Sequence, residues 1–160
     1  PPAARRPHPP YRDILWKTAA GVSAMTRASC EPARTTDPDL VAIRDELASR
    51  EPVFHRPEWG TTRADFDRML AGCFWETGAS GRRYSRAFVL DELERRYASP
   101  PLDDDWESCD FLCQRLADDL YLLTCSLRQG ARETRRSTIW RRAGSEWKIV
   151  FHQGTIVQDA

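Results

Sequence analysis

The segments Ser137-Thr-Ile-Trp140 and Trp147-Lys-Ile-Val-Phe151, both rich in β-branched and aromatic side chains, stand on either side of Ala143-Gly144-Ser145. Such residues suit a pleated, half-buried surface, and a short glycine-bearing link suits a tight reversal, so the two segments read as a β-hairpin. With Trp140 opposite Trp147, one face carries Arg136, Thr138, Trp140, Trp147, Ile149, Phe151 and Gln153, and the other carries Arg135, Ser137, Ile139, Lys148, Val150 and His152. Side chains alternate with period two along a strand, so a one-residue change of register breaks that grouping.

Upstream of the hairpin the signals are helical. Asp37 is a good N-cap with Pro38 at the first helical position, and Leu40, Ile43 and Leu47 fall at helical spacing before Pro52. This predicts a first helix over residues 38–50. Thr62 followed by Asp65 has the form of a capping box, and Phe66, Met69 and Leu70 share one face of a short second helix that stops near Gly72. Cys73-Phe-Trp-Glu76 reads as a strand and Gly78-Ala-Ser-Gly81 as a tight turn. Ser85 can cap a third helix in which Val89, Leu93 and Tyr97 repeat every four residues, closed by Pro100 and Pro101.

Residues 106–129 admit two readings. Cys109, Leu112, Cys113, Leu116 and Leu120 match a helical stripe, while Asp118-Asp119 equally suits a turn between two strands. In either case one compact α+β domain is expected over residues 37–160, helices first and antiparallel sheet last.

Composition sets the outer limits. With 41% apolar and 30% charged residues the chain has a globular balance, which excludes a fibre or a wholly disordered protein. Its 24 basic residues are matched by 24 acidic ones, so no global field draws it onto nucleic acid or anionic lipid, and neither is an expected partner. Lys17 and Lys148 are the only lysines, an arginine bias of the kind a GC-rich genome imposes, so arginine position carries more meaning than arginine number. Cys30, Cys73, Cys109, Cys113 and Cys125 form no regular framework, which points to free, mostly buried thiols and a reducing cytoplasm. No apolar run approaches the roughly 18 residues that span a bilayer, so no membrane association is expected.

Residues 1–36 differ from the rest. Pro1, Pro2, Pro7, Pro9, Pro10 and Pro32 are interspersed with Arg5, Arg6, Arg12, Arg27 and Arg34. That composition cannot bury enough apolar surface to offset the entropy of ordering, and a disordered tail is expected. The chain does not start with methionine, so it is read either as a fragment or as a protein whose native start is Met25. An intact mass from the native source that includes earlier residues overturns the second reading.

The order of these elements, with Gly78-Ala-Ser-Gly-Arg-Arg-Tyr-Ser85 before the third helix, Tyr121-Leu-Leu-Thr124 on a late strand, and Ser137-Thr-Ile-Trp140 leading into Trp147-Lys-Ile-Val-Phe-His-Gln-Gly-Thr155, resembles the nuclear transport factor 2-like superfamily. Within it, the pattern is most similar to domain of unknown function family 4440, related to the SnoaL-like proteins. The resemblance covers residues 38–157 and rests on patterns of packing more than of chemistry. It implies a cone, a curved antiparallel sheet wrapped around the N-terminal helices, with an apolar pocket inside and dimerisation through the outer sheet face. It also implies that residues 106–129 are two strands. The superfamily includes transport factors, kinase association domains, and small isomerases, cyclases and dehydratases.

Inside such a cone, Glu76, Tyr84, Asp110 and His152 are the side chains able to act as general acid and base, with Glu76 and His152 assigned the catalytic roles. The competing reading makes Glu76 and Tyr84 mere supports of the turn and His152 a surface or interface residue. Tyr84, Arg136, Thr138, Trp140, Trp147 and Gln153 are assigned to ligand binding, Arg136 as an inward guanidinium for an anion. Its competing reading is a solvated or interface arginine paired to Glu133 or Glu146. No cofactor and no metal are expected. Cys109 and Cys113, four apart on a strand at roughly 3.3 Å per residue, lie too far apart to share a zinc ion. The functional expectation is a small-molecule-binding or assembly domain with a largely apolar pocket, forming a homodimer. The alternative is a cofactor-independent lyase or isomerase acting on a small cyclic or carbonyl substrate.

Overall fold

The computed structural model describes residues 32–99 and 105–158. The described residues from Arg34 onward form one compact unit. The tail expected over residues 1–36 lies outside the described residues except for 32–36, as does Cys30. Arg34 and Thr36 already belong to the compact unit. The Thr36 hydroxyl accepts the backbone N–H of Cys113 at 3.1 Å, and Arg34 bonds to Asp110 and Thr124.

A 3-10 turn, Pro38–Leu40, runs into α1 (Val41–Ala48), and two further 3-10 turns, Val53–His55 and Pro57–Trp59, lead to α2 (Arg63–Met69). Then come β1 (Leu70–Thr77), β2 (Arg83–Ser85), α3 (Arg86–Tyr97), β3 (Trp106–Ala117), β4 (Leu120–Gln129), β5 (Arg132–Ala143) and β6 (Glu146–Ile156). Helix starts follow local chemistry. The Thr62 side chain accepts from the Asp65 N–H while the Asp65 carboxylate accepts from the Thr62 N–H, a complete capping box, and Ser85 caps α3 through the Phe88 N–H. Residues 106–129 are two strands joined at Asp118-Asp119, so the helical stripe was a coincidence of spacing.

Among the described residues the strands form one curved, unclosed sheet of six in the order β2-β1-β6-β5-β4-β3. All pairings are antiparallel except that of β1 with β6, which is parallel. Leu47, Phe66, Leu70, Phe74, Val89, Leu90, Leu93, Leu123, Trp140, Trp147 and Ile149 fill the space between the helices and the inner sheet face. Burial of that apolar surface is the main force that holds the α+β arrangement together.

The β5–β6 hairpin departs from the expected register. Ile139 pairs with Phe151, but Trp140 pairs with Ile149 and Arg142 with Trp147, which leaves Val150 as an extra residue on β6. A bulge of this kind reverses the alternation beyond it and bends the strand. Thr138, Trp140, Trp147, Ile149 and His152 are therefore all buried on the inner face. Phe151 turns outward to meet Trp75, with ring centroids 4.6 Å apart, and Gln153 is exposed. The expectation that His152 lies opposite the tryptophans, and that Gln153 joins them, is corrected by this one inserted residue.

Candidate functional site

The inner face of β5 reads Thr134, Arg136, Thr138, Trp140, of which the last three are the period-two set that the sequence predicts. Thr134, Thr138 and Trp140 are each 1% exposed. Beside it, His152 on β6 lies directly across from Thr138. From the opposite side comes Glu51, in the segment after α1, also 1% exposed. Its backbone carbonyl accepts from Arg56 Nε at 2.9 Å, and its Oε2 accepts from the Val53 N–H at 3.2 Å.

These side chains form one hydrogen-bonded chain. Thr138 Oγ1 donates to Glu51 Oε1 at 2.6 Å and lies 3.0 Å from His152 Nδ1, while Arg136 Nη1 lies 3.3 Å from His152 Nε2. A guanidinium only donates, so Nε2 must accept and the imidazole proton must sit on Nδ1. Nδ1–H then donates to Thr138, whose own proton goes to Glu51. The direction of every bond in the chain is fixed by its arginine end. Arg136 Nε also donates to Thr134 Oγ1 at 3.3 Å.

Burial sets the protonation states. His152 is pushed from its ordinary 6.5 to about 3, first by loss of solvent and then by the neighbouring charge of Arg136, so it is neutral at physiological pH. Burial raises the Glu51 carboxyl above its ordinary range, although the Thr138 hydroxyl, the Val53 N–H and the charges of Arg136 and Arg56 pull it back. Glu76 is likewise raised by burial, with Arg136 and Arg96 opposing.

The chain ends at a cleft of about 290 Å³ bounded by Phe54, Glu76, Arg96, Arg132, Arg136 and His152, among others. Strand pairing explains the convergence, since Glu76 on β1 sits across the parallel seam from His152. The edge of Phe54 packs against the imidazole, with centroids 6.1 Å apart. The Ala79 turn packs against β6 at Gly154, where an added Cβ would stand at ordinary contact distance, 3.4 Å, from the Ala79 side chain.

Of the side chains assigned to a site by the sequence, Glu76, His152 and Arg136 line this cleft together. Thr138 lies one step behind, as the link between His152 and Glu51. Trp140 and Trp147 belong to the core instead, and Trp147 Nε1 donates to Glu46 at 2.7 Å. Tyr84 stacks on Phe88 with centroids 4.9 Å apart and covers Gly78, where an added Cβ would lie 2.8 Å from its ring, so it braces the turn. Asp110 is exposed and held by Arg34 and Arg135, away from the cleft. The wall also differs in polarity from the apolar pocket expected, since arginines, a glutamate and histidines make up much of it.

Glu51 and Arg96 went unread in the sequence. Glu51 reaches Thr138 across 87 positions, and a lone glutamate before Pro52 carries no periodic signal for such a contact. Among the described residues no group of His, Cys, Asp and Glu side chains could hold a metal ion. Cys113 and Cys125 are buried, Cys73 and Cys109 are exposed, and all four are free thiols, so burial is less general than expected.

No protein-family model matches the chain, and no curated protein matches it. Solved structures do. A nuclear transport factor 2-like protein of unknown function in nutrient uptake from Rhodospirillum rubrum is 15% identical, with a TM-score of 0.54 over 74% of this chain and 98% of its own. A proposed ketosteroid isomerase from Parabacteroides distasonis is 16% identical, with a TM-score of 0.55 over 78% of this chain and 96% of its own. A cystatin-like fold protein from Burkholderia xenovorans is 14% identical, with a TM-score of 0.58 over 78% of this chain and 96% of its own. The domain thus has the nuclear transport factor 2-like fold. What is shared at these identities is the fold.

Proposed function

We propose that the domain binds a small molecule in the cleft between β1, β5 and β6. One observation carries this reading: a hydrogen-bonded, largely buried chain, Glu51–Thr138–His152–Arg136, ends at an open cleft. Buried polar groups cost several kcal/mol to desolvate, roughly 2–7 for a hydroxyl or amide left unpaired, and apolar side chains would fill the same space with less constraint. A chain of such groups aimed at a cleft fits a site that orients a ligand. The test is a library of small molecules titrated into 15N-labelled protein. The expected result is saturable shifts at the backbone amides of Ala79, His152 and Gly154. Shifts confined to residues remote from the cleft, or no saturable shift at all, contradict the proposal.

A second reading, proton transfer by a lyase or isomerase, is favoured by Glu76. Its carboxyl, half-buried and raised by that burial, lies close enough to Arg136 and Arg96 to feel their charge, so a base and an electrophilic guanidinium face the same space. His152 is poorly suited to be that base, because Arg136 occupies its Nε2 lone pair. The solved structure described as a proposed ketosteroid isomerase agrees with such chemistry without identifying a substrate here. Any turnover found in a panel of small cyclic and carbonyl compounds should fall by about 10²–10⁴ in Glu76→Gln with binding retained. Full activity in that variant removes Glu76 as the base.

The outer sheet face carries the exposed Trp75 against Phe151, and a second copy of the chain is the occupant we assign to it. Sedimentation equilibrium should give a dimer that Trp75→Glu converts to monomer; a wild-type monomer at micromolar concentration ends this part of the reading. The free thiols suit a reducing cytoplasm.

A further inference from the structure

The cleft's charge narrows what it can hold. Arg96, Arg132 and Arg136 bring guanidinium groups to its wall, against the single carboxylate of Glu76. Arg136 is largely withdrawn from water, and it donates to two neutral acceptors, Thr134 Oγ1 and His152 Nε2. Neither Arg132 nor Arg136 has a carboxylate within ion-pair distance among the described residues; the nearest acidic charges, Glu51 and Glu76, act on Arg136 only at longer range. A guanidinium held away from water without an anion is costly to bury. A neutral imidazole acceptor and a threonine hydroxyl fix the orientation of its plane without neutralising it.

On this basis, and resting on the binding reading above, we propose that the cleft takes the carboxylate of a small organic acid on the free edge of the Arg136 guanidinium. Arg132 and Arg96 flank the anion, and the rest of the ligand lies between Phe54 and Glu76. A planar carboxylate matches the planar guanidinium fork with two parallel hydrogen bonds. The volume of about 290 Å³ lies at the small end of ligand pockets, which run from roughly 300 to 1,000 Å³. That suits a compact acid. Phosphate is the poorer fit, because among the described residues the cleft wall offers no helix N-terminus of the kind that commonly holds one.

The test uses the full chain at constant ionic strength, titrated with acetate, lactate, succinate and benzoate, with the amide of each as its neutral counterpart, and with inorganic phosphate. At least one carboxylate should shift the Ala79 and Gly154 amides and bind about tenfold or more tightly than its amide, the difference expected for one charge-assisted hydrogen-bond set. Arg132→Gln, an exposed position that does not threaten folding, should weaken that carboxylate by about tenfold. Arg136→Lys, which keeps the charge and loses the fork, should weaken it by a similar factor. Amides that bind as tightly as the acids overturn the anion assignment and leave small-molecule binding standing. Silence from acids and amides alike overturns both. Phosphate binding tighter than every carboxylate overturns the carboxylate assignment in favour of a phosphoryl ligand.

Discussion

Truncating Trp140 to alanine should lower the unfolding free energy by about 3–5 kcal/mol, a large part of the roughly 5–15 kcal/mol that holds a domain of this size folded. Trp140 is 1% exposed, sits at the centre of the inner sheet face, and borders the β6 bulge that turns His152 inward. Its removal leaves a cavity between β5 and the helices, and the surrounding sheet is too constrained by its hydrogen bonds to collapse into it. Trp140→Phe should cost much less, since the indole N–H is buried with no hydrogen-bond partner and phenylalanine removes that unpaired donor along with some volume. Urea denaturation of both variants checks this. A loss below about 1 kcal/mol for the alanine variant would mean that Trp140 is not a core residue.

The second large effect is a dependence of stability on pH that runs through His152. In the unfolded chain this imidazole titrates near 6.5, and in the folded domain near 3. The unfolded state therefore takes up a proton that the folded state refuses. The stability involved is complete above pH 6.5 and is lost as the pH falls toward 3. Between pH 7 and pH 5 the histidine's share of the loss is about 2 kcal/mol. Glu51 and Glu76 act in the opposite sense. Their folded-state values are raised, so their contribution is present at low pH and is lost as the pH rises through those raised values, which offsets part of the slope. His152→Gln isolates the histidine. Its urea midpoints from pH 7 to pH 5 should fall less steeply than those of the wild type, by a difference equivalent to about 2 kcal/mol. Equal slopes in the two proteins would show that His152 is exposed or already charged in the folded state.

Much of the architecture was legible because it is locally encoded. Thr62 with Asp65, and Ser85 before Phe88, announce helix starts through contacts three residues apart, and both form as read. The alternation Arg136, Thr138, Trp140 identified one sheet face, and the structure keeps it. β6 was read less well. Period-two reasoning assumes an uninterrupted strand, and the extra Val150 shifts His152 from the outer face to the inner one with no trace in composition.

The site shows the same division. Glu76, His152 and Arg136 were legible as side chains with chemistry to offer, and they meet at one cleft. Their organiser was not. Glu51 belongs to a connecting segment where glutamate is ordinary, and its role exists only because the sheet curves until Thr138 arrives beside it. Gln153 was misplaced by the same inserted Val150, and Tyr84 takes the turn-supporting place that was the competing reading of it.

Nitrogen-15 chemical shifts and long-range nitrogen–proton couplings of the His152 ring at pH 7 measure the centre of this arrangement directly. A neutral ring with its proton on Nδ1 is the expected result, because Arg136 can only donate to Nε2 and Thr138 passes its own proton to Glu51. A charged imidazolium, or a neutral ring protonated on Nε2, would contradict the chain of bonds on which the cleft's chemistry depends.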